Sequence, residues 1–148
     1  MAPPLRPQKD IEAIRKGLAD GTIDAIATDH APHSLSDKEV GFEEAPFGII
    51  GLETAFPLSM KLVQEKVISL KRLVELLSLN PSKILGLNKG HLSLGSLADL
   101  AIFSTEASTI YDVNQSASKS RNSPFHQWRM AGKVLYTIVS GQVVFRHS

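Results

Sequence analysis

The first part of the chain carries apolar positions at helical spacing. Ile11, Ile14 and Leu18 follow one another at i, i+3 and i+7, with charged residues between them. This is the spacing of one helix face, so the pattern predicts an amphipathic helix over residues 9–20. Gly21 is expected to end the helix, because glycine readily adopts the left-handed conformation of a C-terminal cap.

Further helices are predicted between residues 52 and 86. The first lies in GLETAFPLSMKLVQEK, where Pro57 is expected to kink the helix or to begin a new turn. Ser69 is expected to cap the next helix by accepting a backbone N–H. Asn80 is expected to cap a third, short helix that has proline at its first position.

A short apolar segment, TIDAIAT at residues 22–28, lies between the first two predicted helices. Its length and the turn before it favour a buried strand, and a helix that leads into a buried strand is typical of an α/β layer architecture. Residues 29–48 contain two prolines and two glycines and are predicted to form a long loop. Loops of this length in compact domains are usually functional.

The pattern changes to that of β-structure near residue 90. GSLADLAIF indicates a turn and a strand, with Asp99 as a turn residue, and VLYTIV-SGQ-VVF indicates a β-hairpin. A polar stretch, residues 104–123, separates them. We therefore predict two domains, residues 1–88 and residues 89–148.

Composition excludes several classes of function. The formal net charge of +1 favours neither nucleic acid nor an anionic membrane as a partner. The chain has no cysteine, which excludes a disulfide framework, a cysteine nucleophile and a zinc–thiolate site. No apolar run approaches the roughly 20 residues that a membrane helix needs. The start of the chain lacks the pattern of a secretory signal, so a cytoplasmic location is expected.

The densest chemical signal is TDHAPH, residues 28–33. At the end of a predicted strand, Asp29 could bind a metal or move a proton, and His33 could bind an anionic group of a substrate. An aspartate that caps a turn, followed by two exposed histidines, would have the same spacing. The spacing alone leaves both interpretations open.

Several segments together resemble the dihydroorotases, in particular those of many bacteria and of multifunctional pyrimidine-synthesis proteins. They are, in order, PPLR, GTIDAIATDHAPH, APFGIIGLET, LNPSKILGL, KGHLSLGSLADLAIF, KSRNSPF and GKVLYTIVSGQVVF. The resemblance runs from Ala2 to the end of the chain. TDHAPH together with PFGIIGLET distinguishes it from dihydropyrimidinases and allantoinases, which share the architecture.

The resemblance implies an α/β fold in which residues 1–88 are the end of a metal-dependent (β/α)8 TIM barrel and residues 89–148 form a small β-sandwich module. It implies zinc-dependent, reversible hydrolysis of dihydroorotate to N-carbamoyl-L-aspartate, a step of de novo pyrimidine biosynthesis. Asp29 would be a metal ligand and the acid/base, and His33 would bind the carboxylate of the substrate. His30 matches a position that catalysis does not require. The loop that hydrogen-bonds the ring amide would comprise Ala45, Pro46, Phe47 and Gly48.

Two departures from the family pattern affect this interpretation. Ala2 stands where the family usually has an asparagine that helps to bind the substrate carboxylate. The H-x-H-x-R motif and the metal ligands of the middle barrel strands do not occur in this sequence. We therefore expect a fragment that is inactive alone and does not hold zinc by itself.

Two other functions stay open. The chain could be a non-catalytic scaffold remnant, since some dihydroorotase-like chains serve aspartate transcarbamoylase in that way, or it could belong to another cyclic amidohydrolase. The expected partners are the small-molecule substrate and either the missing N-terminal part or aspartate transcarbamoylase.

Overall fold

A computed structural model describes residues 3–147 of the chain; Ala2, the site of one departure above, lies outside the described residues. Helices make up the first part and a three-stranded antiparallel sheet the last. The helices are α1 (Gln8–Asp20), α2 (Leu35–Lys38), α3 (Ala55–Gln64), α4 (Leu70–Val74) and α5 (Asn80–Ile84). The strands are β1 (Leu100–Ile110), β2 (Arg129–Val139) and β3 (Gln142–Arg146), in the sheet order β1-β2-β3.

Helix α1 confirms the first prediction. It begins after Pro7 and ends at Gly21, whose φ of 92° is left-handed. Of the three isoleucine and leucine positions that predicted it, only Leu18 is buried, whereas Ile11 and Ile14 are 41% and 48% exposed. The helix thus attaches to the core by its C-terminal end.

The predicted strand at residues 22–28 is not found; this segment has no regular secondary structure and pairs with no strand of the described residues. Helices bind its backbone instead. The N–H of Ile26 donates to the carbonyl of Leu76 (3.0 Å), and the Arg72 guanidinium donates to the carbonyl of Ile23 (2.8 Å). A strand requires a neighbouring strand for its hydrogen bonds. The apolar pattern identified burial, but it could not identify the partner.

Pro57 begins a new turn, which was one of the two expectations for it. It is the third residue of α3, where its missing N–H leaves no hydrogen bond unmade. Ser69 caps α4 as predicted, with its side chain accepting the N–H of Arg72.

The predicted cap at Asn80 is wrong, because α4 and α5 are joined by a π-helical turn, Glu75–Leu79, without a break. Pro81 cannot donate a hydrogen bond, and a wider turn before it relieves the clash that proline causes in an α-helix. The N–H of Asn80 donates to Glu75 O rather than to the carbonyl of Leu76, which is free to accept from Ile26. The Asn80 side chain donates to the carbonyl of Asp24 (2.8 Å).

The predicted β-hairpin is confirmed. Strands β2 and β3 are joined by Ser140 and Gly141, whose φ angles of 50° and 81° are those of a type I′ turn. Strand β1 extends to Ile110, so the first part of the polar stretch at 104–123 is strand rather than loop. The register of β1 shifts between Ser104 and Ser108, which interrupts the alternation of side chains between the two faces of the sheet. For this reason the sequence pattern does not predict this part of the strand.

Two groups of buried side chains form the core. The larger one joins α1, α3 and α4, and the smaller one lies below the loops before α3 and after β1. The members of the larger are Leu18, Met60, Ile68, Leu73 and Leu76; those of the smaller are Ile50, Tyr111, Val113 and Met130. Ala131 of β2 packs against the larger group. Contacts therefore cross the predicted domain boundary, and the division into two domains stays a prediction. In the described part of the chain, no helix is long and apolar enough to span a membrane.

Candidate active site

The turn at residues 28–33 follows the segment that the helices hold. Asp29 is exposed and has a φ of 45°, which is uncommon for a residue with a side chain and most tolerated in Asp and Asn. His30 forms a parallel bridge with Ile49, and the N–H of Ala31 donates to Ile49 O (2.9 Å). The turn is therefore fastened to the loop segment that precedes α3.

The predicted substrate loop, residues 45–48, lies against this turn. The His33 Nε2 donates to the carbonyl of Phe47 at 2.8 Å. Gly48 has a φ of 112°, and a Cβ at this position would lie 2.5 Å from the Cβ of Ala31. Such an approach excludes any side chain at this position, so the close contact between loop and turn requires glycine.

The other predicted residues lie in the same place. Ala45 and Pro46 are half-buried, and Phe47 is 66% exposed. The loop before them is not structureless as predicted, since it contains the short helix α2, closed by a capping box between Ser34 and Asp37. The hydrogen bond from Ser34 holds the pKa of the Asp37 carboxyl below its ordinary value. The capping pattern S-x-x-D was present in the sequence and could have revealed this helix.

Two residues that the sequence analysis missed hold the loop. The Lys38 ammonium donates to the carbonyls of Pro46 (2.6 Å) and Gly48 (2.9 Å). The Asn122 amide donates to the carbonyls of Ala31 (2.9 Å) and Gly48 (3.2 Å). Asn122 lies in KSRNSPF, one of the segments that carried the resemblance, so position in that motif was the available signal. Lys38 gave no signal of this kind.

His30 also lines a pocket of about 290 Å³. The ring Nδ1 accepts the N–H of Gly51 (3.0 Å), so the bond fixes a ring orientation in which Nδ1 carries no proton. Glu53 and Tyr111 line the same pocket, and Glu53 accepts the N–H of Ala117 (2.8 Å). Burial raises the pKa of the Tyr111 phenol. Asp29 and His33 do not line this pocket, so it is separate from the predicted site.

The described residues do not form a metal site. Residues 3–147 contain no group of three or more His, Asp or Glu side chains placed to hold a metal ion. Asp29 could provide one carboxylate ligand, but the neighbouring ring nitrogens His30 Nδ1 and His33 Nε2 are engaged with the backbone. A catalytic zinc site normally has three protein ligands. The residues present therefore do not fit a complete zinc site.

Comparison with known proteins shows similar sequences and folds. Residues 2–144 match the Amidohydrolase family. Dihydroorotases from Geotalea daltonii and Geobacter sp. (strain M21) are 54% and 52% identical over 146 residues, which is 99% of this chain. An L-hydantoinase (dihydropyrimidinase) from Arthrobacter aurescens is similar in structure, with a TM-score of 0.91 and 36% identity over 99% of the chain.

The length of these relatives differs from that of this chain. The chain spans 34% of the length of each of the two dihydroorotases and 34% of the hydantoinase. The matched part of the dihydroorotases is their C-terminal portion. From the match over residues 2–144 and the shared fold, we conclude that the chain belongs to the amidohydrolase family.

Proposed function

We propose that this chain provides the acid/base aspartate and the substrate loop of a dihydroorotase, which hydrolyses dihydroorotate reversibly to N-carbamoyl-L-aspartate in the cytoplasm. One observation carries the proposal: the turn with Asp29 and the loop with Phe47 and Gly48 are joined by the His30–Ile49 bridge and the His33–Phe47 hydrogen bond. The dihydroorotase relatives at about 50% identity support this substrate over that of the hydantoinases.

In this proposal Asp29 moves the proton of the reaction. Its carboxylate takes a proton from the water that attacks the ring amide and delivers it to the departing ring nitrogen. Its left-handed φ supports the assignment, because residues held in sparsely populated conformations cluster at active sites.

The loop and His33 orient the substrate. Gly48 has no side chain, so the backbone of residues 45–48 can approach the ring amide closely. His33 binds the substrate carboxylate; its Nε2 proton is used by Phe47 in this structure, so the second ring nitrogen faces the anion in the protonated ring.

Family membership supports a metal in the complete enzyme, and the sequence resemblance implies that this metal is zinc. Since the described residues offer only Asp29 as a ligand of the predicted site, we propose that the other ligands come from a barrel part that this chain does not contain. We also propose that residues 1–88 are the end of a (β/α)8 barrel and that residues 89–148 form a β-sandwich module. A scaffold role toward aspartate transcarbamoylase stays a prediction that no observation favours.

A completed enzyme tests the proposal. The chain is joined to the N-terminal part of the Geotalea daltonii dihydroorotase, and turnover of dihydroorotate is measured. We expect activity in this fusion, loss of turnover in Asp29→Asn, and a raised KM with a smaller change in kcat in His33→Ala. The neutral amide of Asn cannot accept the proton, whereas His33 only contributes binding.

Controls separate folding from chemistry. Asp24→Asn changes an exposed carboxylate that precedes the turn, and it should leave the rate near that of the parent fusion. A rate in Asp29→Asn close to that of the parent would contradict the catalytic assignment. A fusion that hydrolyses hydantoin or dihydrouracil but not dihydroorotate would favour the hydantoinase alternative.

A further inference from the structure

Asn122 contacts both halves of the candidate site, although it is 89 residues away from His33 in the sequence. It lies after the end of β1, in the segment that leads to β2. We propose that Asn122 is a positioning residue that sets the distance between the substrate loop and the Asp29–His33 turn. This role rests on the proposed function only where it concerns the substrate.

The side-chain amide of Asn122 makes hydrogen bonds to both segments, with one donor and its acceptor used by the turn and one donor used by the loop. Its Nδ2 donates to Ala31 O (2.9 Å) on the turn and to Gly48 O (3.2 Å) on the loop. Its Oδ1 accepts the N–H of His33 at the longer distance of 3.4 Å. Among the described residues, no other side chain makes hydrogen bonds to both the turn and the loop from outside these two segments.

The backbone of Asn122 adds a further contact. Its carbonyl accepts the N–H of Ile50 at 3.1 Å, directly after the loop. Ile50 is 3% exposed and belongs to the smaller core group with Tyr111 and Met130. The backbone of Asn122 is thus tied by a hydrogen bond to a residue of the core, while its side chain reaches the site. An anchored amide can hold two segments at a defined spacing, whereas a mobile one cannot.

The spacing matters because the loop and the turn approach very closely. A Cβ on Gly48 would lie 2.5 Å from the Cβ of Ala31 and 3.3 Å from His33 Nε2. Two carbonyl oxygens, those of Ala31 and Gly48, converge on the Asn122 amide. Without the two N–H donors, Ala31 O loses a hydrogen-bond partner and Gly48 O keeps only that from Lys38, so the turn and the loop are joined only by the His30–Ile49 bridge, the Ala31–Ile49 bond and the His33–Phe47 bond.

Lys38 differs from Asn122 in what it joins. Its ammonium bonds to Pro46 O and Gly48 O, both of which lie on the loop. It shapes the loop itself and does not connect the loop to the turn. Asn122 is therefore the side chain outside both segments whose loss should weaken the connection between them.

Hydrogen exchange in the full chain tests the structural part. Asn122→Ala removes the acceptor of the His33 N–H and weakens the turn–loop contact in which the Ala31 N–H donates to Ile49 O. It should therefore speed exchange of both amides about tenfold and leave the amides of α3 unchanged. Asn122→Asp keeps an acceptor for the His33 N–H but loses both donors, so it should speed exchange at Ala31 and less at His33. Asn114→Ala, an exposed asparagine on the same connection, is the matched control and should change neither.

Kinetics in the fusion with the Geotalea daltonii part test the role toward substrate. Asn122→Ala should raise KM about tenfold while kcat changes less, because the substrate loop is displaced but the acid/base residue Asp29 is unchanged. Uniformly faster exchange across the chain, or a loss of kcat at constant KM, would overturn the proposal. If the parent fusion does not turn over dihydroorotate, the proposed function fails, and the exchange pattern still decides whether Asn122 positions the loop.

Discussion

Individual side chains in this protein satisfy backbone groups far from them in the sequence. Asp99 is an example: its Oδ1 accepts the N–H of Ser140 in the hairpin turn (2.8 Å), and its Oδ2 lies 2.5 Å from the Lys89 ammonium. The sequence pattern predicts a turn residue here, and the carboxylate does hold a turn, but one that lies 41 residues further along the chain.

Asp99 should make stability depend on pH in the acid range. The hydrogen bond from Lys89, with that from Ser140, lowers the pKa of the Asp99 carboxyl from its ordinary value of 3.8. A lowered folded-state pKa contributes stability that is present above the unfolded value and is lost as the pH falls through the folded value.

The free energy of unfolding of the parent and of Asp99→Asn, measured between neutral and strongly acidic pH, checks this. The parent should be the more stable above 3.8, and the difference should shrink as the pH falls below that value. Lys89→Gln removes the largest cause of the lowered pKa and should reduce the same difference. A difference independent of pH would contradict the role of the charge.

At the scale of elements, strand β2 packs directly on helix α3 through a glycine. Gly132 has a φ of 80°, and a Cβ there would lie 2.8 Å from Met60 Cγ and from a ring carbon of Phe56. The Phe56 ring also packs on Phe103 of β1, with ring centroids 4.5 Å apart. The sheet can approach the helix this closely only because position 132 has no side chain.

Gly132→Ala should therefore destabilise the protein more than its backbone strain explains. Gly141 is the matched control, because its φ of 81° gives the same strain and no atom lies within 4 Å of its Cβ position. We expect Gly132→Ala to lower the free energy of unfolding by about 1–3 kcal/mol more than Gly141→Ala does, from overpacking against Met60 and Phe56. Urea denaturation of both variants measures this. Equal losses would contradict overpacking at position 132.

The whole molecule leaves much apolar surface exposed. Phe42, Leu92 and Leu94 are 99%, 83% and 104% exposed, and all five residues of β3 are exposed. Isolated exposed apolar side chains are normal, but the number here is large for a chain of 148 residues. This exposure agrees with a chain that spans 34% of the length of its dihydroorotase relatives.

The chain alone should neither hydrolyse dihydroorotate nor retain zinc. Asp29 is one carboxylate, and a single ligand cannot hold zinc against water when three protein ligands are usual. Elemental analysis of the purified, dialysed chain should find far less than one zinc per chain. About one tightly held zinc per chain, or turnover by the chain without any addition, would contradict this prediction.

Local patterns allowed several parts of the fold to be predicted. Helix α1 and its glycine end, the Ser69 cap, and the hairpin between β2 and β3 depend on residues within a few positions of one another, and all are confirmed. The strand at 22–28 is not found because no strand of the described residues pairs with it, and the cap at Asn80 is wrong because a π turn joins α4 to α5. The π turn before Pro81 frees the Leu76 carbonyl for Ile26, and no local pattern contains that exchange of partners.

The candidate site likewise has parts that the sequence predicts and parts that depend on contacts between distant segments. The sequence by itself determined its family and its candidate residues, because TDHAPH and PFGIIGLET are short segments whose chemistry can be recognised without knowing what surrounds them. Only the tertiary structure decided that Asn122 and Lys38 hold the loop and that His33 bonds to Phe47. Hydrogen bonds between distant segments depend on how the backbone brings them together, so the residues that make a site can be found in the sequence, while those that hold it in place are found in the fold.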